Sequence, residues 1–340
     1  MSKSQPERNP LLGDGASAQG TAAFVRASGR ERHLALLAGA YGDLRDPATG
    51  RVREELSRAR PCPVCAASAA RPVFSKNGFP HVICEGCGVL YVNVVLREEV
   101  NWRRLAGGAL ADSWVDVLLT ETQRRHDQEK FSVGIDLLER IVPPPPGRLL
   151  DVGCSVGHFL ELARARGWSV EGVELNARAV AHARSLGLSV RETPLTGDEY
   201  PPASFAAVTL WEVLDDLTDP DPLMVTVTRL LRPGGALLVL VPNAGSLAVR
   251  IMRENSATFD GATSVTFFDS RTLSRYLEKF GFRVREMRTI IAELGTLNNY
   301  LHYDDPYLGE HADVLLDMIT PQDLHDRLLG YKLLAIAQRG

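Results

Sequence analysis

Between Arg148 and Val241 short apolar runs alternate with amphipathic segments, and this alternation limits the fold more than any other feature of the chain. Arg148–Val152, Val170–Val173, Ser189–Glu192, Ala207–Trp211 and Ala236–Val241 read as strands, with helices at Phe159–Arg166, Ala177–Leu186 and Asp221–Leu231 between them. Strands that are continuously apolar and separated by helices predict a parallel sheet covered on both faces. Asp269 or Ser270 caps a further helix with the stripe Leu273, Tyr276, Leu277 and Phe280, closed by Gly281. Two more strands, Arg283–Thr289 and Lys332–Gln338, bracket an insertion at 290–330.

The preceding residues divide by composition. Residues 1–30 are rich in Ser, Gly, Ala and Gln without periodicity and read as a disordered tail. Residues 31–60 form a helical extension, in which Leu34, Leu37, Ala38 and Tyr41 share one face. Residues 61–97 carry paired cysteines and a β-rich run, and 98–146 read as a helical linker. The tract Pro143–Pro146 cannot continue a helix, since proline has no amide donor, and marks the start of the α/β domain at 147–340.

Cys62, Cys65, Cys84 and Cys87 follow the pattern C-x2-C-x18-C-x2-C, within the spacing of a zinc site. Two such turns can close a tetrahedron of thiolates around one ion, which leaves no coordination position for water or substrate. The expected metal is therefore a structural Zn2+ in a zinc-ribbon-like unit. Cys154, the fifth cysteine, sits in a glycine loop and reads as a small packing residue.

That loop, Asp151-Val-Gly-Cys-Ser-Val-Gly157, joins a strand to a helix. Its glycines allow close approach of a ligand to backbone and leave amides free at the helix N-terminus. It lacks the glycine register of a dinucleotide loop. Asp151 before the loop suits a ligand bearing positive charge, and Glu174 at the end of the next strand is placed to accept two hydrogen bonds from a ribose.

With these residues, Leu231-Arg-Pro-Gly-Gly235 before a strand, the run Phe205–Leu217 and Phe267-Phe-Asp-Ser-Arg-Thr-Leu273, the chain resembles the class I S-adenosylmethionine-dependent methyltransferases, in the branch where a zinc segment precedes the catalytic domain. The resemblance covers 61–97 and 130–290. It implies a Rossmann-like seven-stranded sheet ordered 3-2-1-4-5-7-6, with Lys332–Gln338 as the antiparallel strand. It implies that Asp151, Gly153 and Gly157 line the methionine end of S-adenosylmethionine, with Cys154, Ser155 and Phe159 also among the cofactor-binding residues. Glu174 would hold the ribose, Leu175 and Thr193 would lie near the adenine, and Trp211 and Glu212 beside the transferring methyl. Two departures stand out: Ser155 replaces a glycine common in relatives, and Asp215-Asp216 replaces a Glu-His.

Methyl transfer from a sulfonium is an in-line displacement, so the protein chiefly aligns the reactants and supplies a base where the acceptor needs one. Asp215 and Asp216 are the first candidate bases. His302, with Tyr303 and His311, is the second if the insertion folds over the site. Arg124-Arg125-His126 reads as a solvated, self-compensated face, with Glu121, Asp127 and Glu129 around it. The expected activity is methylation of a small polar acceptor, such as a nucleotide-linked sugar or a natural-product intermediate. An RNA methyltransferase and a non-catalytic binding protein on the same fold are the alternatives. The balance of 38 basic and 42 acidic residues, net −4, argues against a nucleic-acid partner. The insertion points the same way, with eight acids and one base in 289–330. No apolar stretch suits a signal peptide or a membrane span, and the expected location is the cytoplasm.

Overall fold

A computed structural model describes residues 18–311 and 313–340. Two helices come first, α1 (Ala18–Ala27) and α2 (Arg30–Leu44). The cysteine unit follows as β1 (Ser57–Ala59), β2 (Ala70–Lys76), β3 (Phe79–Cys84), β4 (Leu90–Val92) and β5 (Val94–Leu96). Helices α3 (Glu98–Ala106), α4 (Ala109–Leu118) and α5 (Glu121–Ile141) lead into the α/β region. There the order is β6 (Arg148–Val152), α6 (His158–Ala165), β7 (Ser169–Glu174), α7 (Ala177–Ser185), β8 (Val190–Glu192), β9 (Phe205–Trp211), α8 (Asp221–Leu230) and β10 (Leu231–Pro242). The chain closes with α9 (Leu247–Met252), β11 (Thr266–Phe267), α10 (Ser270–Lys279), β12 (Phe282–Ile290), α11 (Leu294–Leu301), α12 (Pro321–Asp326) and β13 (Lys332–Arg339).

The main sheet runs β12-β13-β10-β9-β6-β7-β8, with β13 antiparallel to both neighbours. Counted from β6 as the first strand, this is the order 3-2-1-4-5-7-6 that the resemblance implied. Strand order reverses between β6 and β9, the switch point beside which open α/β sheets bind ligands at the carboxyl edge. The caps are local in origin. Asn176 accepts from Ala179 N at the start of α7, and Asp269 forms a capping box with Thr272 at the start of α10.

Three boundaries differ from expectation. Residues 1–17 of the expected tail lie outside the described residues, but Ala18–Ala27 is a helix whose Ala22 and Val25 are buried. It packs against α11, and Arg26 pairs with Glu310. Helix α5 is not a linker: Ile135 and Leu138 are wholly buried in the same apolar cluster as Leu149, Leu238 and Leu334 of the sheet. The proline tract stops the helix without separating it from the domain. The cysteine unit is likewise continuous with the rest. Its sheet, β11-β4-β3-β2, takes its edge strand from residues 266–267, and Cys62, Cys84 and Tyr91 share a cluster with Leu150, Val208 and Val239. Among the described residues no helix is long and apolar enough to cross a membrane.

Candidate active site

Strand β6 delivers Asp151 to the carboxyl edge, where its side chain is buried and accepts from Thr209 Oγ1 at 2.6 Å. Burial pushes this carboxyl up to about 8, against the pull of the Thr209 hydrogen bond. The turn that follows has left-handed backbone at Gly153 (φ 72°), Ser155 (φ 48°) and Gly157 (φ 88°). A Cβ on Gly153 would stand 2.8 Å from Val213 Cγ2, and one on Gly157 2.5 Å from Leu188 Cδ1. The glycines are thus required twice, by dihedral and by space. Cys154 packs its sulfur over Gly172 and is buried, as its reading as a packing residue predicted. Phe159, in the first turn of α6, is also buried.

Glu174 leaves the end of β7 and turns back on its own loop. Oε1 accepts from Leu175 N at 2.6 Å and Asn176 N at 2.8 Å, and Oε2 accepts from Ser155 N at 2.9 Å. These amides fix the carboxylate beside the glycine turn and occupy three of its about four acceptor directions. Glu192, in register with Glu174, brings Thr193 to the same edge.

At the end of β9, Trp211 wedges between Phe131 (4.8 Å) and Phe159 (5.1 Å), and its Nε1 has no partner among the described residues. Glu212 has left-handed backbone (φ 57°) and sits among cations. It pairs with Lys332 at the start of β13, and its Oε1 is 3.9 Å from Lys130 Nζ. Burial would raise this carboxyl, but Lys332 and Lys130 outweigh it and hold it down to about 2. Lys130 also pairs with Asp127 at 2.9 Å, and Gln123 links Asp127 to Arg30. One ionic chain therefore ties α2, α5, β9 and β13 together at the mouth of the sheet.

Asp215 and Asp216 follow on the same loop. Ser264 Oγ lies 3.0 Å from Asp215 Oδ2 and 3.0 Å from Asp216 Oδ1. Burial pushes Asp215 up to about 7, helped by Glu212, and carries Asp216 well above its ordinary range with Asp215 and Asp260 adding to it. Asp215 Oδ1 has no partner among the described residues.

The histidine of the insertion is elsewhere. His302 caps the C-terminal end of α11, stacks on His311 at 3.6 Å and points its Nε2 at Asp313 O (3.1 Å), while Tyr303 is 98% exposed. The insertion reaches the mouth near its start through Glu293, about 14 Å along the helix from His302. Glu293 is left-handed (φ 55°), has an unpartnered Oε2, and is pushed up to about 8 by burial, with Lys332 opposing. The sequence also hid His126. Arg124 and Arg125 are exposed as expected, but His126 turns inward against Phe24 at 5.2 Å, where burial and Lys130 bring it down to about 4. The signal for Glu293 and Lys332 was a single charge abutting an apolar run, Ile290-Ile-Ala-Glu-Leu294 and Tyr331-Lys-Leu-Leu-Ala335.

The four thiols of Cys62, Cys65, Cys84 and Cys87 lie within 4.8 Å of one another. Cys62 and Cys87 sulfurs are 3.6 Å apart and those of Cys65 and Cys84 3.5 Å. Sulfurs at ~2.3 Å from one zinc ion span tetrahedral edges of ~3.8 Å, so the donors fit a closed zinc site.

Residues 124–287, just under half of the chain, match the sequence family described as "Methyltransferase domain". Over these residues the chain is similar to a methyltransferase domain. Among curated relatives, the ubiquinone biosynthesis O-methyltransferase of Dechloromonas aromatica is 29% identical over 143 residues, 40% of this chain and 60% of the relative. That of Paracidovorax citrulli is 31% identical over 37% of this chain and 55% of its own length. The Aeromonas salmonicida protein of the same description is 28% identical over 52% of this chain and 77% of its own. The chain thus spans 60% and 55% of the first two relatives it matches. A solved methyltransferase from Archaeoglobus fulgidus overlays with a TM-score of 0.45 at 18% identity, covering 64% of this chain and 94% of that one. The match of residues 124–287 extends through α5, in keeping with the packing of that helix on the sheet.

Proposed function

We propose that this chain moves the methyl group of S-adenosylmethionine to an oxygen of a small hydroxyl-bearing acceptor at the carboxyl edge of the sheet. The observation that carries this reading is the bridge from Ser264 to the buried carboxyl of Asp215 and the half-buried one of Asp216. A serine hydroxyl has one proton to donate, so its two contacts at 3.0 Å to carboxyl oxygens are best satisfied when one carboxyl carries a proton. Asp215, Ser264 and Asp216 thus hold a shared proton close to neutral pH, and the pair in its ionised form can accept one from an acceptor hydroxyl.

When bound, S-adenosylmethionine supplies an electrophilic methyl on a cationic sulfur. The residues present suit such a group: Asp151 offers a carboxyl to positive charge, the turn at 153–157 admits close approach, and Glu174 retains one acceptor direction for a ribose hydroxyl. Leu175 and Thr193 flank the adenine end on this reading. Trp211 and Phe131 exclude water beside Glu212. The relatives, O-methyltransferases by description, support an oxygen acceptor. A nucleotide-linked sugar or a natural-product intermediate is the acceptor class on this reading. The four cysteines would hold a structural zinc that shapes the unit beside Asp215.

The test is mass spectrometry of a metabolite extract incubated with the protein and isotope-labelled S-adenosylmethionine. Label should appear in a hydroxyl-derived ether, and Asp215→Asn should lower turnover by about 10²-fold or more while cofactor affinity persists. Undiminished transfer by Asp215→Asn removes the base, and absence of cofactor binding removes the reading.

A further inference from the structure

Arg60, between β1 and Cys62, is 7% exposed, yet it forms an ion pair with no carboxylate among the described residues. Its guanidinium is spent on acceptors of three separate segments. Nε donates to Val92 O of β4 at 2.8 Å. Nη1 donates to Thr218 O at 2.7 Å and Leu217 O at 3.4 Å, in the loop that follows Asp215 and Asp216. Nη2 donates to Val265 O and to Thr266 Oγ1 (3.2 Å), immediately after Ser264. The same two residues return to the acid pair, since Val265 N and Thr266 N donate to Asp215 O at 2.8 and 3.0 Å.

Burying a guanidinium is costly even with Cys62 and Asp219 in its field, and packing alone would be met by a methionine or leucine. What arginine adds is a planar fork of five donors that can satisfy acceptors from three strands and loops at once. Both backbone segments that carry the Asp215–Ser264–Asp216 group therefore converge on one side chain, and that side chain is rooted in the cysteine unit.

We infer that Arg60 is a positioning residue that couples the cysteine unit to the Asp215–Ser264–Asp216 group. The catalytic consequence rests on the reading above, while the coupling is readable without it. Glu212, Lys332, Ser264, Asp216 and Asp260 are the charged and polar groups that face the pair. None of them is altered by a change at Arg60.

The test is an infrared titration of protonated carboxyl in the full-length, zinc-loaded protein from about pH 5 to about pH 9, where unperturbed carboxylates no longer titrate. Asp215→Asn identifies the band of the pair. Arg60→Lys keeps the charge and loses the fork. It should lower the midpoint of that band by about one pH unit as water reaches the carboxyls, with zinc content unchanged. An unmoved midpoint in Arg60→Lys overturns the coupling. Should Arg60→Lys lose zinc or fail to fold, Thr266→Val, which removes one acceptor of the guanidinium, should move the midpoint in the same direction. No movement there overturns the coupling equally. Methyl transfer by the same variants separates the two conclusions: a shifted midpoint with full turnover removes the base and keeps the coupling, and an unshifted midpoint with Asp215→Asn inactive does the reverse.

Discussion

Thr209 on β9 donates its hydroxyl to Asp151 on β6 across the register pair that joins the two central strands. Burial raises Asp151 to about 8 in the folded chain, above the ~3.9 of an unfolded aspartate. The folded state therefore holds an extra proton between those values, and stability without ligand falls as pH rises through that window. A cationic ligand needs the carboxylate, so its affinity changes in the opposite sense. Calorimetry should show S-adenosylmethionine binding more tightly at pH 8 than at pH 6, by up to about tenfold per unit. Thr209→Val removes the hydrogen bond that lowers Asp151 and should displace this dependence upward. A flat affinity profile would contradict it.

Ser155 replaces a glycine for which size is a lesser concern than backbone. Its φ of 48° lies in the left-handed region, which costs an L-residue about 1–2 kcal/mol. Glycine removes that cost and adds about 0.5–1 kcal/mol of unfolded-state entropy, so Ser155→Gly should leave Tm nearly unchanged or slightly raised. Ser155→Val, β-branched in the same conformation, should lower stability by about 1–3 kcal/mol. Thermal unfolding of the two variants decides the matter: equal Tm values would mean the strain is absent.

Gly134 in α5 faces the ring of Trp211, and a Cβ there would stand 2.4 Å from Cη2 and 2.8 Å from Cζ2. An alanine would ordinarily favour a helix by about 0.5–1 kcal/mol. Here the ring is wedged between Phe131 and Phe159 and has nowhere to move, so overpacking at about 1–3 kcal/mol prevails. Gly134→Ala should therefore destabilise the chain and perturb Trp211 fluorescence. A stabilised variant would show that α5 can retreat from the sheet.

Cys84→Ser should abolish zinc binding, and a chelator should lower Tm by more than about 5 °C, because a closed four-thiolate site contributes directly to folding. The loss should extend to residues 264–267, whose strand belongs to the same sheet, and hydrogen exchange can follow it there. Loss of protection confined to the cysteine hairpins would contradict the continuity of the two parts.

Much of this architecture is legible in sequence because its signals are local. The alternation from Arg148 to Val241 reports burial on both faces, and Asp269 with Thr272 writes a helix start in four residues. The cysteine spacing names its own geometry. What eluded sequence reading is assembled by tertiary contact. Nothing in an Ala- and Gly-rich stretch marks Ala22 and Val25 as a face, because their partner, α11, lies more than 250 residues on. Two residues, Thr266 and Phe267, are too short a run to announce a strand. His302 looked catalytic by type and lies on the outer end of its helix, while His126 looked solvated beside two arginines and faces the mouth. Asp215 and Asp216 were visible as a pair, but Ser264, which bridges their carboxyls, comes from nearly fifty residues downstream.

The fourth strand of the cysteine unit, β11, is synthesised long after the other three. During translation the early hairpins keep an open edge at β4 until residue 267 has left the ribosome. The amino-terminal third of this polypeptide therefore completes its tertiary structure only when most of the remainder exists. A fragment ending at the proline tract would expose β4 to solvent and to other chains, and the two parts cannot be exchanged between proteins as independent modules.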